Sequence, residues 1–333
     1  MSLIFGGSEV QMLETAKSLT KLGVTVEFLD FNDRDQFERA DILHLFSSEY
    51  VFRQIVDLSN AKNIPVVTSS IYYPVGLQRA KDLWISKVPL STENLRRKIL
   101  ERSSFILPNS VSEARLLLEM YNLKTPMRVI PNGINENILN GDALYFRDKY
   151  ISRWGNEKFI LSVGRIEDRK NSLNLLKAAR QEDIPILFIG RPNMTQEKYI
   201  ADFFREAKKH GERFIHIPFL EPNGYDLRSA FAACHSHALV SWLETPGIAS
   251  LEAGACGANL VVGRCPPVEE YLGGFSEIVN QKDIDSIASG LRNSIGIPKD
   301  NYGQSQHIKT RFTWDRVARL NLELYKELLN GRF

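Results

Sequence analysis

Short apolar runs alternate with amphipathic stretches along this chain, and they fall into two series. The first comprises TVEFLDF at 25–31, DILHLF at 41–46, PVVTSS at 65–70 and SFILPNS at 104–110. The second comprises KFILSVGR at 158–165, PILFIGR at 185–191, RFIHIPFL at 213–220, HALVSWL at 237–243 and NLVVGR at 259–264. Strands that alternate with helical patterns cannot pair as hairpins and require parallel sheets with crossover helices. Two series predict two open sheets, and 333 residues suffice for two such domains. The Asn- and Gly-rich segment VIPNGINENILNGD separates them and is followed by a polar helical stretch from Ala143 to Trp154, so the boundary is expected near 135–155.

Each half carries a strand, a glycine-bearing loop and a helix, around Gly6-Gly7 and around Val163-Gly164-Arg165, the pattern of two Rossmann-like domains. Ser8 and Gln11 have the spacing of a capping box, with Met12, Ala16 and Leu19 on one helical face, so a helix is expected from Ser8. Only Met1–Phe5 precede that loop, and the strand feeding it is expected to be very short or absent. Val317, Leu320, Leu324 and Leu328 mark an amphipathic helix near the end of the sequence.

Charge and cysteine content exclude several classes of function. Forty-two Lys and Arg against 40 Asp and Glu leave a net charge of +2, too little for a nucleic-acid binder that works by bulk charge. Cys234, Cys256 and Cys265 form no Cys-x-x-Cys pair and read as reduced thiols. Cys234, His235 and His237 do not share a strand face and lack a fourth ligand, so no metal site is expected. No apolar run approaches a membrane span and Glu9 does not suit a signal peptide, so the expected location is the cytoplasm.

The strongest chemical signal is SWLETPGIASLEAGACG, with Glu244 and Glu252 on either side of Pro246-Gly247, which open a helix after a strand. Such a helix start offers backbone N–H groups and the positive end of a dipole, a site suited to a diphosphate. Arg165 and Lys170, at the carboxyl end of an earlier strand, could stabilise the charge that grows on a departing phosphate. Taken singly, the same residues also read as a solvated basic pair and ordinary helix acids. In order along the chain, RVIPNGIN, FILSVGRIEDRKN, SWLETPGIASLEAGACG and ANLVVGRCPPVEEYL resemble the motifs of the retaining glycosyltransferases of family four, the glycosyl transferases group 1.

That resemblance implies a GT-B fold: α/β, with two Rossmann-like domains whose parallel sheets face a central cleft, and a C-terminal helix returning to the first. It divides the chain into an acceptor domain, 1–145 with helix 314–333, and a nucleotide-sugar donor domain, 146–313. It makes Arg165, Lys170 and Glu244 catalytic, the two cations taking the place of a divalent metal, with no cofactor besides the donor substrate. Glu244 lies beside the donor sugar and Glu252 grips the ribose hydroxyls. Gly247 and Ile248 meet the donor at the helix start, the backbone near Phe219 and Leu220 meets the base, and Gly6 and Gly7 face the phosphates. The implied partners are a nucleotide-sugar donor and a saccharide or lipid-linked acceptor, in cell-surface polysaccharide or glycolipid synthesis.

The chain departs from the pattern after PVVTSS, where many members carry a His and this sequence has Ser69, Ser70, Ile71, Tyr72 and Tyr73. Ser70 or Tyr72 could replace that group, or cap local backbone. His44 resembles a strand position often filled by His, and equally a core imidazole. From Val75 to Arg102 seven basic residues outnumber three acids, with Trp84 and Ile85 among them. That stretch could touch an anionic inner membrane face, or be a solvated helix face. Two rival functions remain: a non-catalytic nucleotide-binding relative, and a hydrolase using Glu244 and Glu252 as its paired acid and nucleophile.

Overall fold

The computed structural model describes residues 7–33, 35–74, 76–245 and 247–331. The chain forms two compact units, one made of the residues up to Gly133 together with those from Trp314 on, the other of Ile134–Thr313. Among the described residues no helix is long and apolar enough to cross a membrane.

The first unit contains a three-stranded parallel sheet, β1 (Leu43–Leu45), β2 (Val66–Ser69) and β3 (Phe105–Leu107), in that spatial order. Val67 pairs with His44 on one side and Phe105 on the other. Leu100, Ile106, Leu116 and Leu117 pack as one core cluster and Leu45, Val56, Val66 and Ile99 as another. β2 and β3 are buried at every position, so β3 reads as a continuous apolar run rather than an alternating one, while β2 buries Thr68 and Ser69 along with its two valines. The helix Val111–Tyr121 after β3 shows how local chemistry sets its bounds. Ser110 Oγ accepts the Glu113 amide at 3.1 Å, and Asn122 ends the helix in the left-handed conformation at φ 50°.

Two expectations for this unit change. No strand forms at 25–31: the run is apolar in composition, but Phe28 is exposed and Phe31 is 81% exposed. Met1–Phe5, the expected place of a very short or absent strand, lie outside the described residues, as does Gly6. The capping box at Ser8 does not form either. The helix spans Gly7–Lys21 with Ser8 already inside it, Ser8 Oγ donates to Glu9 Oε2 at 2.9 Å, and Gln11 Nε2 reaches Asn109 Oδ1 at 3.0 Å. The C-terminal helix Trp314–Leu329 packs against Gly7–Lys21. It is fastened by a forked Arg128–Glu327 pair at 3.2 and 2.7 Å and by the Tyr325 hydroxyl, 2.5 Å from His44 Nδ1.

In the second unit six parallel strands stand in the order β6 (Phe214–Ile217), β5 (Ile186–Ile189), β4 (Ile160–Val163), β7 (Ser236–Leu239), β8 (Asn259–Gly263), β9 (Glu277–Val279). Counted within the unit this is 3-2-1-4-5-6, the order of a dinucleotide-binding Rossmann sheet, with its switch point between β4 and β7. Ile160, Phe188, Ala238 and Val261 face one core layer, and Leu161, Leu187, Leu260 and Val262 face the other. β9, absent from the sequence reading, is a short edge strand.

The boundary falls between Gly133 and Ile134, not between 145 and 146. The segment looks like a linker because it is rich in Asn and Gly, yet it delivers Ile134 and Ile138 into the second unit's core, both 1% exposed. The Ile134 amide bonds the Phe312 carbonyl at 2.8 Å, so the segments that enter and leave this unit run side by side.

Candidate active site

In a doubly wound sheet, ligands bind beyond the carboxyl ends of the strands at the switch point. Here those ends are the loops after β4 and β7, and backbone contacts join them. After β4 the chain turns at Gly164, whose amide donates to the Ile189 carbonyl at 2.9 Å. A Cβ on Gly190 would lie 2.0 Å from the Gly164 carbonyl oxygen, and Gly190 has φ 149°, so only glycine allows these loops to touch. A 3-10 turn at Asp168–Lys170 follows, then Asn171 at φ 56°, before the helix Ser172–Gln181. The buried Asn171 side chain donates from Nδ2 to the Val240 carbonyl at 3.2 Å and the Gln281 carbonyl at 2.8 Å. The Trp242 amide donates to the Arg169 carbonyl at 3.0 Å. These bonds hold the turn carrying Lys170 against the end of β7.

The result is an ion pair between Lys170 Nζ and Glu244 Oε1, with the side chains only 16% and 12% exposed. Arg169 Nη1 stands 3.8 Å from the same oxygen. Burial pushes the Glu244 carboxyl up, but the charges of Lys170 and Arg169 outweigh it and hold the group below the usual carboxylate range. Arg165 joins this group indirectly, through the buried carboxylate of Glu167. Arg165 Nη2 lies 3.5 Å from Glu167 Oε2 and Arg169 Nε lies 3.3 Å from Oε1, while Asn193 Nδ2 donates to Oε2 at 3.2 Å. One buried acid therefore orients two guanidinium groups. Glu167, Arg169 and Asn171 were not singled out from the sequence, because the run IEDRK reads as a solvated charged face.

The helix after β7 spans Ile248–Ala255. A Cβ on Gly247 would come within 2.6 Å of Leu239 Cδ2 and 3.4 Å of Glu244 Oε2, so its backbone packs directly on β7 beside the carboxylate. Ile248 and Glu252 are half-buried, in the first and second turns. Pro246 lies outside the described residues. Beneath the pair, His237 of β7 is fully buried with Nδ1 3.5 Å from Ser250 Oγ and Nε2 without a partner among the described residues. Burial, aided by the Lys170 charge, pushes its pKa down to about 3. Phe219 and Leu220 follow β6, two strands from β4. Phe219 is half-exposed under the Arg191 guanidinium, 4.8 Å from its ring centroid, and Leu220 packs against the core.

The remaining residues belong to the first unit, and several are already engaged there. Gly7 is the first residue of its helix. His44 is satisfied at both nitrogens, by the Tyr325 hydroxyl and by Ser69 Oγ at 3.0 Å, and burial pushes its pKa down to about 3. It is a core imidazole. Ser70 Oγ donates to the buried Glu113 Oε1 at 2.5 Å, and the Tyr72 hydroxyl lies 2.7 Å from Asp82 Oδ2 and 2.9 Å from Glu93 Oε2. Neither side chain stands in for the missing His.

Among known proteins, residues 147–302 match the family model of the Glycosyl transferases group 1. The D-inositol 3-phosphate glycosyltransferase of Mycobacterium ulcerans is 25% identical over 258 residues, covering 72% of this chain and 54% of that protein. The chain thus spans about half the length of the curated relatives it matches. Sucrose-phosphate synthase from Thermosynechococcus elongatus superposes with a TM-score of 0.76 at 16% identity, covering 98% of this chain and 94% of that one. Anabaena Alr3699/HepE in complex with UDP gives the same TM-score and identity, covering 97% and 96%. These two likenesses show the fold, which is GT-B. The motif-bearing loops meet at the switch point of the second unit, and the family match lies within that unit: residues 147–302 are similar to the group 1 glycosyl transferases.

Proposed function

We propose that the chain transfers a sugar from a nucleoside diphosphate sugar to a hydroxyl acceptor, with retention at the anomeric carbon and without a divalent metal. The observation that carries this reading is the buried Lys170–Glu244 pair at the switch point, bordered by Arg169 and Arg165. Without donor, Lys170 is balanced by Glu244. A diphosphate gives Lys170, Arg169 and Arg165 a second anionic partner, and leaves Glu244 able to accept hydrogen bonds from sugar hydroxyls. As the sugar–phosphate bond breaks, charge grows on the leaving oxygen, and fixed cations stabilise it more than they stabilise the ground state. In the roles the resemblance implies, Glu252 holds the ribose hydroxyls, Gly247 and Ile248 pack on the donor, the backbone at Phe219 and Leu220 meets the base, and Gly6 and Gly7 face the phosphates. The departing phosphate oxygen serves as the base for the acceptor hydroxyl. We place the reaction at the cytoplasmic side, in polysaccharide or glycolipid synthesis.

A specific observation also favours a second reading, a nucleotide-binding relative without turnover: Ser69, Ser70 and Tyr72 are all bound internally, so the segment after β2 offers no free side chain in place of the His. The hydrolase reading loses support, because a glycosidase has no use for Lys170, Arg169 and Arg165 gathered around Glu244 and Glu167. The test is calorimetric titration of UDP, GDP and ADP in EDTA, beginning with UDP, which the Anabaena structure holds. One nucleotide is expected to bind, with roughly tenfold to hundredfold loss in Lys170→Ala, as for a charged hydrogen bond. Binding unchanged in the mutant removes Lys170 from the site. Product NMR with the matching nucleotide sugar then separates retention from inversion, and turnover from binding alone.

A further inference from the structure

The helix Gly76–Ile85 of the first unit is inverted. A surface helix normally buries its apolar stripe and exposes its polar one. Here, among the described side chains, the buried position is a carboxylate, Asp82, 5% exposed, held by the Tyr72 hydroxyl and by Gln78. Two large apolar side chains point outward instead: Trp84 is 70% exposed and Leu83 is exposed beside it, while Ile85 is half-buried. The connection to the next helix continues the same surface with Val88, Pro89 and Leu90, the last 71% exposed and raised at φ 61°. Ser86 is turned inward, its hydroxyl donating to the Leu83 carbonyl at 2.7 Å.

The charges around this patch are sorted as well. Of the seven bases and three acids counted in the sequence, two acids leave the surface, and one base, Arg96, goes with them while Arg102 pairs with Asp57. Asp82 is buried as described, and Glu93, 7% exposed, is enclosed by Tyr72, Tyr121 and Arg96. Arg97 pairs with the third acid, Glu101, at 2.7 Å, and Arg79 pairs with Glu119. Lys81 and Lys87 stand exposed on either side of Trp84 and form no ion pair among the described residues. An exposed indole and leucines rimmed by unpaired lysines, with the local acids withdrawn, is complementary to a surface that is apolar within and anionic at its face.

We propose that residues 76–91 dock this protein onto an anionic lipid surface, with Trp84, Leu83, Val88 and Leu90 entering the headgroup boundary and Lys81 and Lys87 meeting the lipid phosphates. The polar clamp on Asp82 keeps the helix seated while its apolar face is given to the lipid. The inference goes beyond the transferase reading and does not depend on it.

The experiment is co-sedimentation of the full chain with phosphatidylcholine vesicles, with and without phosphatidylglycerol. The protein is expected to pellet with the anionic vesicles at low salt and to be released by high salt. Trp84→Ala is expected to weaken binding about tenfold or more, and Lys81→Glu with Lys87→Glu by a similar factor. Both variants keep their thermal unfolding and nucleotide titration, since the substituted side chains are exposed and lie outside the core. Recovery in the supernatant at low salt overturns the proposal, as does equal pelleting with neutral vesicles or unchanged binding by the variants. Concentration-dependent self-association lost in Trp84→Ala, without vesicle binding, would assign the patch to a second copy of the chain and overturn it too.

Discussion

Glu244→Gln removes a charge at nearly constant volume, and on the proposed reading it strengthens nucleotide binding while weakening turnover. In the ligand-free protein Glu244 is the counter-ion of Lys170, and both side chains are mostly buried. A diphosphate must share Lys170 with that carboxylate and must sit near its negative charge. Two unit charges about 4 Å apart interact by about 4 kcal/mol at an effective dielectric constant near 20. Only part of this is lost when Lys170 gains a second partner, because Arg169 still stands 3.8 Å from Glu244. Taking a quarter to a half of that energy gives about 1–2 kcal/mol, a gain of roughly 5- to 30-fold in nucleoside diphosphate affinity. The unliganded variant is itself less stable, since Lys170 is left without its main partner in a largely buried place, by about 2–3 kcal/mol after discounting the cost of a fully buried broken pair. The nucleotide therefore raises the melting temperature more in Glu244→Gln than in the parent. Calorimetry with the bare nucleotide reads the first effect and thermal shift the second; the bare nucleotide is needed because the lost sugar contact would mask the gain. Affinity equal to or weaker than the parent's, in a folded variant, refutes the competition between Glu244 and the diphosphate.

Two further outcomes follow from other parts of the structure. Gly190→Ala drives a methyl group into the Gly164 carbonyl at a backbone angle that disfavours side chains, so a loss of about 3 kcal/mol or more in denaturant unfolding is expected, together with loss of nucleotide binding; a parent-like midpoint would mean that the loops need not touch. His44 and His237 are held neutral, with pKa about 3 against an ordinary 6.5, so the unfolded chain binds more protons than the folded one between those values. Stability is then full above about pH 7 and falls on acidification, by about 2 kcal/mol per histidine at pH 5, and His44→Asn flattens that slope in equilibrium unfolding; an unchanged slope would show that His44 is not the group responsible.

Strands of the second unit are legible in the sequence because both faces of the sheet are covered, so β5 is an unbroken apolar run and β4, β7 and β8 are apolar but for Ser162, Ser236, His237 and Asn259. Composition misleads where burial does not follow it. TVEFLDF has the residues of a strand and leaves Phe31 in solvent, while the polar run around Ile134 and Ile138 carries two core residues. The site divides in the same way. The spacing of Arg165, Lys170 and Glu244 is readable because it follows from where two strands end. The inward turn of Glu167 is not, since it depends on the path taken after Gly164, and nothing in a run of charges marks which one is buried. The burial of Asp82 and Glu93 is hidden for the same reason: acids are expected outside, and only the tyrosine hydroxyls brought in from elsewhere reverse that.

The path of the chain also sets an order of events during synthesis. The second unit, Ile134–Thr313, is inserted within the first, whose helix Trp314–Leu329 leaves the ribosome after the whole of the second unit. Domains emerging from the ribosome fold largely as units, earliest first. Here that rule is interrupted: the second unit can close its sheet and join Ile134 to Phe312 while His44 still waits for Tyr325 and Arg128 for Glu327. A nascent chain stalled just past Thr313 would hold a finished second unit beside a first unit whose β1 edge lacks its cover, and that is the stage at which a chaperone would find the most to bind.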